Sequence, residues 1–368
     1  MCILKLRFEK FERKYNFYLP DSYKLLITEL GDSYMIGNCE FFSAEDFINN
    51  NLRSGGEMEV GLFPFGGLGN GDCFCFLKYG ENPEEYYIVL WLSETCNYVI
   101  LNSTFDNFIY NCLIQEYKAL LYPDEYMVEG TREEYEECID KIGSVSSLFD
   151  FDLDLIEKAK DEDALDSLIL KRDPFAVQLL CMLGKKLLYT HTKEAEKYLN
   201  RAINFSPDYA AHYYILGKYL LDENKKEGLE LLYKCATVPI AASGYSYWEE
   251  DDVGVPRNLL DEVFEILTKN KDELPHEYAK SIYMNFIMKG EPYDPDARFM
   301  LADEFLKSGD YIHCIRELNN VMILTDDPVV KIKLLETLMP VYEKAGFVWA
   351  SSICRKDIKY IRGLKKSV

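Results

Sequence analysis

Histidine is scarce in this chain, with four among 368 residues, and tryptophan scarcer still, with three. His191, His212, His276 and His313 stand singly on helical patterns, where a histidine reads as a core or surface residue rather than a general base. No C-x-x-C pair occurs, so metal-ligand spacing is missing and neither metal nor other cofactor is expected. No run of about 18 apolar residues is present, which excludes a membrane-spanning helix. The opening MCILKLRFEKFERKY is charged from Lys5 onward and lacks the apolar segment of a signal peptide. Basic charge is also short. Lys and Arg number 41 against 63 Asp and Glu, giving a net charge of −22 and a pI near 4.7. Such a chain repels phosphate backbones, so nucleic acid is not an expected partner. A basic protein partner suits the charge better, although acidity also serves plain solubility.

Catalytic motifs are missing in the same way. Gly66, Gly67, Gly69 and Gly71 make a glycine-rich stretch, but a strand pattern follows it and no Lys-Ser or Lys-Thr. A phosphate cradle needs a helix N-terminus there, so this is not a P-loop. Ser22, Ser93 and Ser103 lie in no nucleophile elbow. Asp72 and Glu94 flank the strand region, which leaves a hydrolase using that pair as the enzymatic reading. It is set aside because nothing around the pair supplies a motif. The expectation is a protein that is not an enzyme.

What is present is material for two packed domains. The length allows two, and 48% hydrophobic residues with 28 Tyr and 21 Phe can fill real cores. Eleven cysteines scatter from Cys2 to Cys354 without pairing logic. They read as free, reduced core residues, and the expected location is cytoplasmic.

In chain order, residues 3–18 have helical spacing through Leu4, Phe8, Phe11 and Tyr15. Pro20 breaks that helix and opens a second over 21–30. Residues 34–42 read as one strand, and Ser43 caps a short helix over 44–50. Residues 60–92 read as three strands. Asn70-Gly71-Asp72 signals the tight turn between the first two, and the apolar run 87–92 suggests a strand buried on both faces. A short strand at 98–101 and a helix over 105–121 follow. This order predicts an α+β domain with a mostly antiparallel sheet and flanking helices.

The series Leu19-Pro20-Asp21-Ser22-Tyr23-Lys24, Gly31, Gly61 to Phe65, Asn70-Gly71-Asp72, Ile88 to Trp91 and Ser103-Thr104-Phe105 to Phe108 resembles the SUKH superfamily, the Smi/Knr homology domains. The resemblance covers about the first third of the chain. It implies an α+β domain used for protein binding. In bacteria such domains are commonly immunity proteins that neutralise polymorphic toxins, and in fungi they regulate cell-wall synthesis.

Downstream, Leu183-Gly184, Ala195, Leu199, Ala202 and Pro207 resemble one tetratricopeptide unit. Tyr213, Leu216, Gly217, Leu220, Leu229, Tyr233 and Ala236 resemble the next, close to the ~34-residue period. A third copy starts near Pro295, with Cys314 and Val321 at the usual alanine positions, and 331–360 reads as a further helix pair. The expected division is an α+β domain over 1–125, an acidic helical connection over 126–165, and an all-α tetratricopeptide-like array over 166–368.

Three surfaces are candidate partner sites: Asp32, Asp72 and Glu94 around the glycine-rich turn; Tyr214, Lys218, Phe299 and Asp303 on a concave face of the array; and Tyr245, Tyr247 and Trp248 in an insertion between repeats. The reading that unites these features is a protein-binding immunity protein that occludes a basic toxin domain, with no membrane or nucleic acid involved. The alternative is a regulatory scaffold assembling signalling or cell-wall machinery through both modules.

Overall fold

The computed structural model describes residues 2–30, 34–51, 58–78, 86–93, 97–121, 132–159, 161–238, 259–274 and 294–364. Its N-terminal part contains α1 (Cys2–Tyr15), α2 (Asp21–Leu30), α3 (Ala44–Asn50) and α4 (Phe105–Leu121) around a six-stranded antiparallel sheet. The strands run in sequential order: β1 (Met35–Ile36), β2 (Cys39–Phe41), β3 (Leu62–Gly67), β4 (Cys73–Leu77), β5 (Tyr87–Leu92) and β6 (Asn97–Asn102). The single strand expected over 34–42 is instead a hairpin, β1 paired with β2 about a turn at Gly37, whose φ is +55°. The β3–β4 turn is where Asn70-Gly71-Asp72 placed it, with Gly71 at φ +100°, a region glycine enters without strain.

Strand alternation sorts the side chains. Phe63, Phe65, Phe74, Phe76, Ile88, Leu90, Val99 and Leu101 join the core under the helices. Phe65 lies at its centre, within ring-contact distance of Tyr23, Phe41, Phe74, Phe76, Phe105 and Phe108. Phe17 stacks on Phe63 at 4.0 Å between ring centroids. Each such pair contributes roughly 0.5–1.5 kcal/mol beyond area burial, which is where the aromatic excess goes. The other face carries a second, smaller cluster of Leu62, Cys75, Leu77, Val89 and Tyr98, all buried. Both faces of β5 are therefore covered, as its apolar run implied.

The helical part continues through α5 (Arg132–Leu148), α6 (Leu153–Glu157) and α7 (Glu162–Arg172), then α8 (Val177–Leu187), α9 (Thr192–Phe205), α10 (Ala210–Glu223), α11 (Lys225–Thr237) and α12 (Leu259–Lys269). It ends with α13 (Pro295–Ser308), α14 (Tyr311–Ile323), α15 (Pro328–Lys344) and α16 (Val348–Leu364). The acidic run from Glu133 to Glu137 falls inside α5.

Helices pair as α8 with α9, α10 with α11, α13 with α14 and α15 with α16. Small residues set how closely each pair approaches. A Cβ on Gly184 would meet Leu199 Cγ at 2.6 Å, and one on Gly217 would meet Leu232 Cγ at 3.0 Å. The same glycine-against-leucine contact thus recurs one repeat later, the physical basis of the sequence period.

The array is docked on the sheet domain at several points. Asp173, just after α7, accepts hydrogen bonds from the Asn102 amide at 2.9 Å and from the Ser103 hydroxyl at 2.9 Å. A buried ion pair joins Lys118 of α4 to Asp166 of α7. Burial pushes the Asp166 carboxyl up against the opposing pull of Lys118. Phe205, ending α9, meets Tyr87 edge to face at 5.4 Å. The guanidinium of Arg316 in α14 lies 4.0 Å over the Tyr98 ring and donates to the Tyr98 carbonyl. Lys78, fully buried at the end of β4, sits 4.5 Å from the ring of Trp349 in α16. The array thus crosses the second face of the sheet.

Gly228 tests the close packing of the repeats. A Cβ there would lie 2.7 Å from the Leu221 backbone nitrogen. Gly228→Ala should lower stability by about 1–3 kcal/mol despite the better helix propensity of alanine. A urea midpoint that falls with an unchanged slope is the expected result. A raised midpoint would show that the two helices are not in contact there.

Candidate functional site

The sequence-derived surfaces fare differently in three dimensions. Asp72 is only 5% exposed, so its reading as a surface acid is corrected. Its Oδ1 accepts from the Ser93 backbone N–H at 2.8 Å and from the Ser93 hydroxyl at 2.9 Å. Its Oδ2 accepts from the Asn70 amide, and its own N–H donates to Asn70 Oδ1. The carboxylate therefore ties the β3–β4 turn to the end of β5. Turn acids are commonly consumed in this way. Asp32, Glu94, Tyr245, Tyr247 and Trp248 lie outside the described residues.

Tyr214 and Lys218 are one turn apart on α10, and both bind Glu262 of α12. Burial raises the Tyr214 hydroxyl, and the hydrogen bond to Glu262 raises it further. Burial would raise Glu262 as well, but the bonds from Lys218 and Tyr214 outweigh it and hold the carboxyl down. These residues, expected on an open concave face, are thus engaged by the next helix. Helix faces alone do not reveal which neighbour covers them. Phe299 is 40% exposed, and Asp303, also exposed, pairs with Lys307 one turn on. The structure does not bring Phe299 and Asp303 together with Tyr214 and Lys218.

Among the described residues, one charge cluster was missed by sequence reading. Asp208, between α9 and α10, accepts from His313 Nε2 at 2.9 Å and from Arg316 at 2.7 Å. His313 Nδ1 is 2.6 Å from Asp310, the residue that caps α14. The imidazole is thereby held between two carboxylates, an arrangement that suits the cation. Burial opposes that charge, but the bonds to Asp208 and Asp310 outweigh it and raise His313 above its ordinary value. Burial likewise opposes the Asp208 charge, and the partnerships with His313 and Arg316 bring it below the ordinary carboxylate range. The cluster spans 108 positions from Asp208 to Arg316. The i, i+3 spacing of His313 and Arg316 was the only trace of it in the sequence. It joins the second and third repeats and, through Arg316, fastens both to β6. It acts as a clasp, each member being paired with another.

His212 is fully buried, and burial alone drives it down to about 3, so it stays neutral at physiological pH. None of the eight cysteines whose side chains are described is in a disulfide, and most of them are buried. Among the described residues there is no cluster of three or more His, Cys, Asp or Glu able to hold a metal ion. Nor is any described helix long and apolar enough to cross a membrane.

The antiparallel sheet is thus sandwiched between its own helices and a helical array. Residues 5–111 match the SMI1 / KNR4 family (SUKH-1), a span running from α1 into α4. The N-terminal domain is therefore a SUKH domain, and the array lies beyond the match. No curated protein matches the chain.

Two measurements bear on these clusters. Asp72→Ala would leave the Ser93 and Asn70 donors without their acceptor, and should cost about 1–3 kcal/mol in denaturant unfolding; an unchanged midpoint would mean the brace is not formed. The clasp predicts a pH window. The His313 contribution is complete below its unfolded value of about 6.5 and is lost as pH rises through the raised folded value. The Asp208 contribution is complete above its unfolded value of about 3.9 and is lost as pH falls through the lowered folded value. The stability gap between the native chain and His313→Gln should therefore be widest from about pH 4 to about pH 6.5 and close at higher pH. A gap that grows with rising pH would contradict a cationic His313.

Proposed function

We propose that this chain is a non-enzymatic, cytoplasmic immunity protein that binds a toxin domain and blocks it by occlusion. The SUKH-1 match over residues 5–111 carries the reading, because that family implies protein recognition. The net charge of −22 supports a basic partner. Acidic surface speeds encounter with a cationic domain and fixes its orientation. Nucleic acid and membranes are not among the proposed partners. Described cysteines that stand outside disulfides fit a reducing compartment.

One observation favours a scaffold instead. Phe299 and Met300, consecutive on α13, are both exposed. An array that presents apolar side chains can recruit a second protein. On that reading both modules hold different members of an assembly.

Co-expression separates the two. A toxin encoded beside this gene should be neutralised when both are produced, and the two should co-elute as a complex. Association should slow markedly between 50 and 500 mM salt, as steering by opposite charge requires. Failure of the neighbouring toxin to bind, or association indifferent to salt, would overturn the proposal.

A further inference from the structure

Basic charge is short in this chain, and it is unevenly spread. α1 carries five Lys and Arg against two Glu, and α16 carries four against one Asp. Each helix is therefore +3 in a chain of −22. The fold brings the two together, although they stand at opposite ends of the sequence. Lys356 of α16 donates from Nζ to the main-chain carbonyl of Lys14, in the last turn of α1, at 3.4 Å. Unsatisfied C=O groups and the helix dipole attract a cation there. Two turns earlier on α16, Trp349 packs against Lys78 of the SUKH domain.

The acids of these two helices are already engaged. Glu9 pairs with Arg13. Glu12 is buried, where it binds Lys24 and accepts from the Leu19 N–H. Asp357 is buried as well. Arg355 and Arg362 are taken by Glu343 and Glu336 of α15. Four exposed lysines are left: Lys10 and Lys14 on α1, Lys356 and Lys359 on α16. Spacings of i, i+4 and i, i+3 put each pair on one helix face. Among the described residues, no carboxylate lies within ion-pair distance of any of the four. Lys356 uses one ammonium donor on Lys14 and keeps two. Tyr360, one turn beyond Lys356, is exposed and gives the face an aromatic edge.

We infer that the lysine face formed by α1 and α16 is a docking surface for a short, carboxylate-rich segment of a partner protein. Charge complementarity selects the sign. Extent selects a segment. Without the +6 of these two helices the chain carries −28. A bilayer or a nucleic-acid duplex spreads its anionic charge widely and would confront that acidic remainder too. A short acidic segment meets only the charges within a Debye length, about 8–10 Å. Lysine ammoniums are compact charges on flexible stems, so they take carboxylates in varied positions and demand no single planar geometry. The surface is separate from the toxin-binding reading, since it selects a partner of the opposite charge. It exists only where α16 is docked on α1.

The test uses the full chain and rhodamine-labelled hexaglutamate, with hexaglutamine as the uncharged comparison, followed by fluorescence anisotropy. Saturable binding of hexaglutamate is expected at about 50 mM salt, tenfold or more tighter than hexaglutamine, and should vanish near about 500 mM. Lys10→Gln combined with Lys359→Gln should weaken it about tenfold, because half of the uncommitted ammoniums are removed. Neither lysine bonds to another described residue, so the unfolding midpoint should stay native. Lys171→Gln combined with Lys185→Gln, exposed on α7 and α8, should leave binding unchanged. Equal affinity for hexaglutamine, or native affinity in the Lys10 and Lys359 variant, would overturn the inference. Binding to vesicles of about 30% phosphatidylserine without binding to hexaglutamate would make the face a membrane contact and overturn it too. Salt-sensitive dimerisation of the native chain, abolished in the same variant, would make a second copy the occupant, with the same consequence. Neutralisation of the neighbouring toxin keeps the two readings apart. The Lys10 and Lys359 variant should neutralise it as the native chain does, and a loss would show that the lysine face is not a separate surface.

Discussion

A sheet has two faces, and the helices of the SUKH domain cover one of them. The other carries Leu62, Cys75, Leu77, Val89 and Tyr98, an apolar surface that water does not tolerate in so contiguous a form. Burial of that second face is the constraint on which the remaining architecture depends. It explains why β5 is apolar along most of its length, and why charged residues of the array sit at the sheet with their charges satisfied. Arg316 contributes its guanidinium plane to Tyr98 and its N–H groups to the Tyr98 carbonyl and Asp208. A lysine would not do both, since only the planar fork combines stacking with several directed bonds.

This docking changes what a helical repeat array is for. An open array presents its inner surface to a peptide. Here parts of it are committed to the chain's own sheet and to neighbouring helices, as Tyr214 and Lys218 are to Glu262. Buried pairs such as Lys118–Asp166 and Arg298–Glu317 add little net stability once desolvation is counted. They penalise wrong dockings heavily, because a misplaced partner leaves a buried charge alone. Their contribution is to alignment. An amide-lined cavity is a by-product of that alignment, formed where α8 meets α4 and β6.

Much of the architecture was legible in the chain. Period-2 alternation at Cys73–Phe76, the Asn70-Gly71 turn and the unbroken run at 87–92 each encode a local rule, and the strands stand where those rules put them. The repeat positions were legible for the same reason: Gly184 and Gly217 must be small wherever a leucine from the next helix packs on them. The hairpin within 34–42 was missed because Gly37-Asn38 resembles a polar interruption of a single strand. Site residues were harder. An aspartate beside a glycine turn looks the same whether it faces solvent or, as Asp72 does, caps the backbone of a strand 21 residues away.

By itself, the sequence determined the two kinds of secondary structure, their order, the repeat spacing, the net charge and the SUKH-like series, because each is written in neighbouring residues or in a fixed period. Only the tertiary structure decided which surfaces remain open. It buried Asp72, paired Tyr214 with Glu262, assembled Asp208, His313 and Arg316 into one clasp, and set Asn102, Gln178 and Glu116 around one cavity. Those outcomes depend on contacts between residues tens to hundreds of positions apart. Composition and periodicity carry no record of such distances, since the same local pattern is compatible with many ways of laying one module on the other.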